Sequence, residues 1–426
     1  MSHAEGSASP TGSRRNDHGI QQPDFESSQS TFAQARHRRK IAELEEKIES
    51  LESGRAVKER YHDSFRCIRS SLLTMCQRQT NYYLAQGRGF RRVVALFNGV
   101  EDLVSENDRR YDLEDDHDHD AATIDQDRLA EGYNVLTRTL PWFLKTVTDM
   151  EHDEYVRLLK LLRQGADGAH GDDTSKLKTL ISDWVNRELK PDPPVDHDNK
   201  NCRGFINEAC GRLLCPAELD WNDPAVRTGI RDRSEGYVVT DLSFPSFLYE
   251  KYNANSDDLE EGLFKGRILV QGYKAVFTSP SSAKDVDGNG DGADIVENNR
   301  RAKKALSGIK VKKHVAQIIK MDKVTPRSIA YIACQVRFAL SSVTSWRSVD
   351  GDFDYIQFWQ TIVDFFERPP GREARRRVTR LLEWWTIKVF GRRRREDLSN
   401  AAKAAMSINT LARQRADRDD ISFNSD

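Results

Sequence analysis

The stretch from Thr325 to Val343 constrains the fold more than any other part of the chain. Thr325 carries a side-chain oxygen suited to cap a helix, and Pro326 follows at the first helical position, where its missing N–H costs nothing. Beyond it, Ile329, Ile332, Ala333, Val336, Phe338, Leu340 and Val343 leave no consistently polar side. A helix that is apolar nearly all round has to be wrapped by other elements. A chain with this helix at its centre must therefore supply amphipathic neighbours.

The rest of the sequence provides them. Ile41, Leu44, Ile48 and Leu51 repeat with 3-4-3 spacing, a coiled-coil seam that ends where Arg55 and Lys58 take the next seam positions. Tyr61, Phe65, Ile68 and Leu72 resume the period, so one long helix is expected over about 35–85. A second helix is expected after Gly87 and Gly89, carrying Phe90, Val93, Val94, Phe97, Val100 and Val104. Amphipathic segments follow over 123–164, broken near Pro141, and another starts where Asp173, Thr174 or Ser175 caps Leu177, Leu180, Ile181, Trp184 and Val185. Helical period returns over Leu259–Val276, Tyr355–Phe366 and Val378–Val389, and more weakly over 398–414. Between 190 and 257, prolines and glycines interrupt any long helix, and Tyr237–Leu242 reads as one short strand. The expected fold is mainly α: an irregular multi-helix domain with a short coiled-coil N-terminal helix, a loop-rich middle and few or no strands.

Composition sets the limits of this domain. Hydrophobic residues make up 38% and charged residues 31%, which fits a normal core diluted by polar segments. Residues 1–33 are expected to be disordered, 34–110 to hold the coiled coil and a helical hairpin, and 111–122 to form an acidic linker. The helical core is expected over 123–397 with a flexible insertion at 280–298, and 398–426 as a weak helix and tail. The 66 basic residues nearly cancel the 67 acidic ones, so only local clustering speaks to polyanions. No run of about 18 apolar residues and no signal-peptide core is found, so the chain is expected inside the cell, away from membranes, with its six cysteines reduced.

From Arg203 the chain carries RGF, GRLLCPAELDWNDPAVR, FPSFLYE, GLFKGRILVQGYKAVFTSPSSA, VTPRSIAYIACQVRFALSS and LLEWWTIKVFG in that order. These blocks, over roughly 200–391, resemble an uncharacterised domain family of mushroom-forming (basidiomycete) fungi. The resemblance implies a fungal protein and brings no assigned activity, cofactor or functional residue.

Three constellations imitate metal sites. Asp285, Asp287, Asn289, Gly290 and Asp291 copy the start of a calcium loop, but its twelfth position is Val296 rather than a bidentate Glu. His197, Cys202, Cys210 and Cys215 lack the tight Cys-x-x-Cys knuckle of a zinc site. Asp116–Asp120 alternate with two histidines without apolar shielding. Polar insertion, packed cysteines and solvated linker are the preferred readings, so no metal or cofactor is expected. None of the common nucleophile or phosphate-loop motifs is present.

Basic clustering is the most suggestive signal. Arg300, Arg301, Lys303, Lys304, Lys310, Lys312 and Lys313 lie in a segment, 299–323, with one acid, Asp322. A second segment, 372–395, ends in Arg392, Arg393, Arg394 and Arg395. Such runs suit nuclear import, phosphate backbones or acidic partners. Trp384 and Trp385 read as core. The preferred function is a non-catalytic helical protein-interaction or scaffold protein, nuclear rather than cytoplasmic, with self-association through 36–56. The competing readings are a nucleic-acid binder using the two basic segments and an enzyme with a site dispersed over 200–257.

Overall fold

The computed structural model describes residues 35–45 except 37, 66–113, 122–284, 286, 314–391 and 399–423; of 66–76, 113 and 416–423 only the helical backbone is described. The fold is mainly α. The one sheet among the described residues pairs Val349–Asp350 antiparallel with Phe353–Asp354, Val349 opposite Asp354, around Gly351 at φ +62°. No described helix is long and apolar enough to cross a membrane. The chain divides into two compact units, one of 1–60 with 141–156 and one of 61–140 with 157–426.

In the smaller unit, helical turns over 35–45 meet the Trp142–Thr148 helix. The Arg38 guanidinium donates to the Thr148 carbonyl (3.1 Å), and Arg39 lies over the Tyr155 ring at 4.2 Å. Phe143 and Val147 are buried. The helix before Trp142 ends at Thr139 because Pro141 cannot donate into it.

The larger unit is built around the helix Pro326–Leu340. Thr325 and Ser328 cap it reciprocally, each side chain accepting from the other's backbone N–H. Every residue from Arg327 to Leu340 is buried, as its all-round apolar character requires. Burying each of Ile329, Ile332 and Val336 contributes roughly 1.5–3 kcal/mol. Arg267–Phe277 and Tyr355–Glu367 pack along it, and Arg66–Val93 and Glu208–Leu214 also touch it. The Tyr273 hydroxyl meets Ser328 Oγ at 2.9 Å, and Trp385, from Gly371–Phe390, sits 5.2 Å from the Tyr273 ring. Trp385 is fully buried, as its spacing predicts.

Four local expectations need correction. Gly87 and Gly89 do not start a helix; they lie inside Arg66–Val93. A Cβ on Gly87 would collide with the Leu162 backbone, and one on Gly165 with the Leu84 backbone, so these glycines let two long helices cross at backbone distance. The chain breaks after Val93 and restarts as Val100–Leu113. Asp173, Thr174 and Ser175 do not cap a helix either; they lie within the 38-residue helix His152–Leu189. Asp173 is consumed by a tertiary ion pair, and the Thr174 hydroxyl meets the His170 carbonyl (2.8 Å) and Gln335 (2.9 Å).

The third correction concerns Tyr237–Leu242, which forms no strand. Tyr237 and Val239 pack instead on a small cluster of Cys215, Trp221, Val226 and Ile230. Finally, the period beginning at Leu259 becomes helix only at Arg267. Gly262 and Phe264 take positive φ (72° and 57°), and a Cβ on Gly266 would collide with the Phe247 carbonyl.

Candidate polyanion-binding face

The seven basic residues from Arg300 to Lys313 and the run Arg392–Arg395 lie outside the described residues, as do the calcium-like loop from Asp287 onward and the alternating Asp/His run at 116–120. What the structure does place is the second basic segment up to Gly391. It forms the helix Gly371–Phe390, whose buried side is Val378, Trp385, Val389 and Phe390. Away from that side, Arg372, Arg375, Arg376, Thr379, Arg380 and Glu383 are all exposed and border one shallow surface depression. Arg372 and Arg380 are eight residues apart, so the arginines span about 12 Å along the axis.

Their charge is weakly compensated. Glu373 stands 3.5 Å from Arg376 and 3.7 Å from Arg380, and Arg377, toward the flank, reaches Glu260 at 3.2 Å. Arg372 and Arg375 pair with no carboxylate among the described residues. Exposed pairs of this kind are worth only ~0–1 kcal/mol, so they give way readily to a phosphate that accepts two N–H bonds from one guanidinium. Pro370 precedes the helix with no side-chain cap, leaving the positive end of the helix dipole on the same side of the charge balance.

Elsewhere, basic residues are spent on structure. A groove of about 710 Å³ bordered by Arg110, Glu131, Arg138, Arg327 and Glu367 has its cations already paired. Arg110 holds Asp127 at 2.7 Å, Arg138 holds Glu131 at 3.2 Å, and Arg327 grips Glu367 through two bonds of 2.9 Å. In the core, Arg92 binds Asp173 through two bonds (2.6 and 2.9 Å), and the Tyr331 hydroxyl donates to the same carboxylate at 2.9 Å. Burial, then the Asp173 charge, holds the Tyr331 hydroxyl well above its ordinary range, so it remains a donor.

Sequence reasoning missed a second internal node. Arg203 is fully buried without a carboxylate. Its guanidinium donates to the carbonyls of Lys178, Ala339, Asp196 and His197 at 2.7–3.1 Å. Lys200 Nζ donates to the Phe338 carbonyl at 2.5 Å and lies 3.4 Å from that ring's centre. Both cations therefore sit at the negative, C-terminal end of the central helix. Burial, then the Arg203 charge, brings the Lys200 pKa down to about 7. No periodicity signals such a node, because its acceptors on the central helix, the Ala339 and Phe338 carbonyls, lie 136 and 138 residues away in sequence.

The remaining candidates do not assemble. Cys202 is exposed, whereas Cys210 and Cys215 are buried, and burial pushes both buried thiols up to about 12. Cys215 packs beside Trp221. Among the described residues, no three His, Cys, Asp or Glu are placed to hold a metal ion. His170 stacks edge-on against Trp346 at 4.4 Å, and burial, then the Arg91 charge, lowers its pKa to about 4. Of the seam residues, Ile41 and Leu44 are exposed, and Ile48 and Leu51 lie outside the described residues.

Compared with known proteins, residues 164–390 match the model of a family of unknown function (DUF6698), more than half of the chain. No curated protein and no solved structure matches it.

Proposed function

We propose that this chain, which belongs to that family of unknown function, is a non-catalytic binding protein that holds the phosphate backbone of a nucleic acid on the arginine face of its Gly371–Phe390 helix. One observation carries the reading: Arg372, Arg375, Arg376 and Arg380 share an exposed face with too few carboxylates to neutralise them. The run Arg392–Arg395 follows directly in sequence and adds to the same charge. The perturbed groups of the molecule support the non-catalytic part, since His170 and Cys210 serve packing, Lys200 caps a carbonyl and Tyr331 joins the internal Arg92–Asp173 ion pair.

Backbone binding of this kind releases counterions, so affinity falls steeply with salt. The test is fluorescence anisotropy of labelled duplex DNA and single-stranded RNA across a sodium chloride series. Changing the four arginines to Gln should weaken binding and flatten the log–log salt slope by about 3–4. An unchanged slope would sink the assignment of this face. Tight binding to polyglutamate with none to nucleic acid would replace the nucleic acid by an acidic protein.

The same basic runs support a nuclear location. A fluorescent fusion with Arg392–Arg395 and the Arg300–Lys313 cluster neutralised should lose nuclear accumulation, and equal distribution of the unmodified fusion would refute that location.

A further inference from the structure

The helical turns over 35–45 have two sides that differ in what they meet. Ala35 and Arg39 are buried. The Arg39 guanidinium donates to the Ala35 carbonyl (3.1 Å) and covers Tyr155. Ile41 and Leu44 are 56% and 53% exposed. With Ile41 at heptad position a and Leu44 at d, Ala35 falls at b and Arg39 at f, the positions opposite the seam. The chain thus uses the back of this helix for its own packing and leaves the apolar seam uncovered.

The flanking charges say what covers it. Lys40 stands at g and Glu45 at e, both exposed. In a parallel pair of helices, g of one chain lies across from e in the next heptad of the other, so Lys40 meets Glu45 of the second copy, twice over by symmetry. In an antiparallel pair, g meets g and e meets e, which sets like charges against each other. The sequence beyond the described residues repeats the pattern, with Lys47 at g and Glu52 at e around Ile48 and Leu51.

From this geometry we propose that the face bearing Lys40, Ile41, Leu44 and Glu45 docks a second copy of the same chain as a parallel two-helix seam. The described seam is short, so the dimer is reversible and builds up with protein concentration.

The test uses the full chain in sedimentation equilibrium. The unmodified protein should approach twice its monomer mass as concentration rises. Lys40→Glu alone and Glu45→Lys alone each place like charges across the seam and should raise the dissociation constant roughly tenfold. Mixing the two variants in equal amounts recreates opposite-charge pairs and should restore dimerisation. Both substitutions are on exposed positions, so folding is not at issue, and Leu44→Ser should abolish the dimer. A monomer at every concentration would overturn the proposal. So would variants that associate more tightly than the unmodified chain, the antiparallel outcome, or a mixture no better than either variant alone.

Discussion

The C-terminal end of the central helix and the N-terminal half of the Gly371–Phe390 helix are both rich in cations, and they use them in opposite ways. Arg203 and Lys200 are buried at the former, and every carbonyl they reach belongs to the backbone. Arg372 and Arg375 at the latter are exposed and reach no carboxylate among the described residues. Counting basic residues in sequence cannot tell the two regions apart. What separates them is whether the guanidinium satisfies acceptors that folding has already removed from water. A buried carbonyl without a donor costs about 1–3 kcal/mol, so a cation that caps several is fixed in place. An exposed guanidinium loses nothing by exchanging water for a phosphate.

The contrast is broken most severely at Arg203. Arg203→Met removes the donors of four carbonyls and should destabilise the fold by about 3–5 kcal/mol, read from urea unfolding. A loss under about 1 kcal/mol would mean that the node is ornamental and the comparison false. Asp173→Asn comes next. It leaves the buried Arg92 without its counter-charge while keeping shape, and should cost about 3 kcal/mol in the same measurement. Tyr331 loses a charged acceptor at the same time, so Asp173→Asn combined with Tyr331→Phe should cost less than the two single effects added together.

These sites also show what could be read before the structure. The central helix was legible because a cap, an N1 proline and all-round apolarity agree with each other. The buried Trp385 followed from its period. The break at Pro141 was legible because its cause is local. Gly87 was misread because a glycine at a helix crossing and a glycine at a helix start look alike in sequence; only the Leu162 backbone opposite it decides. Asp173 was misread for the same reason, since an N-cap and a tertiary ion pair ask for the same side chain. Arg203 and Lys200 gave no periodic signal, because the Ala339 and Phe338 carbonyls they cap lie far along the chain and the nearer carbonyls of Asp196 and His197 belong to a loop. On the binding face, the excess of arginine was visible in the sequence. Which arginines share a side depended on knowing that Val378 and Trp385 turn inward.

Lys200 sharpens the comparison through pH. Its pKa in the folded protein is about 7, below the ordinary 10.5 of an unfolded lysine, because burial disfavours the charged form. Between those values the unfolded chain binds a proton that the folded chain does not, so this residue's contribution to stability rises as pH goes from about 7 toward 10.5 and is flat below about 7. The nearby charges of Arg203 and Lys178 act in the same direction as burial, against that of Asp350. The stability of the unmodified protein relative to Lys200→Met should therefore increase over that window, measured by urea unfolding at several pH values. A difference that does not change with pH would show that Lys200 titrates as an exposed lysine does.

The smallest structural effect belongs to the exposed face, and that is the point of testing it. Arg372→Gln with Arg375→Gln removes two guanidinium groups that no described carboxylate holds, so unfolding should move by no more than about 0.5 kcal/mol. The same double variant should lose nucleic-acid affinity, and the log–log salt slope should fall by about 2, one for each phosphate contact removed. A stability loss as large as that at Arg203 would place these arginines with the structural cations. Stability unchanged together with a reduced slope would separate the two regions on one measurement each, since the same residue type would then be indispensable to folding in one place and to binding in the other.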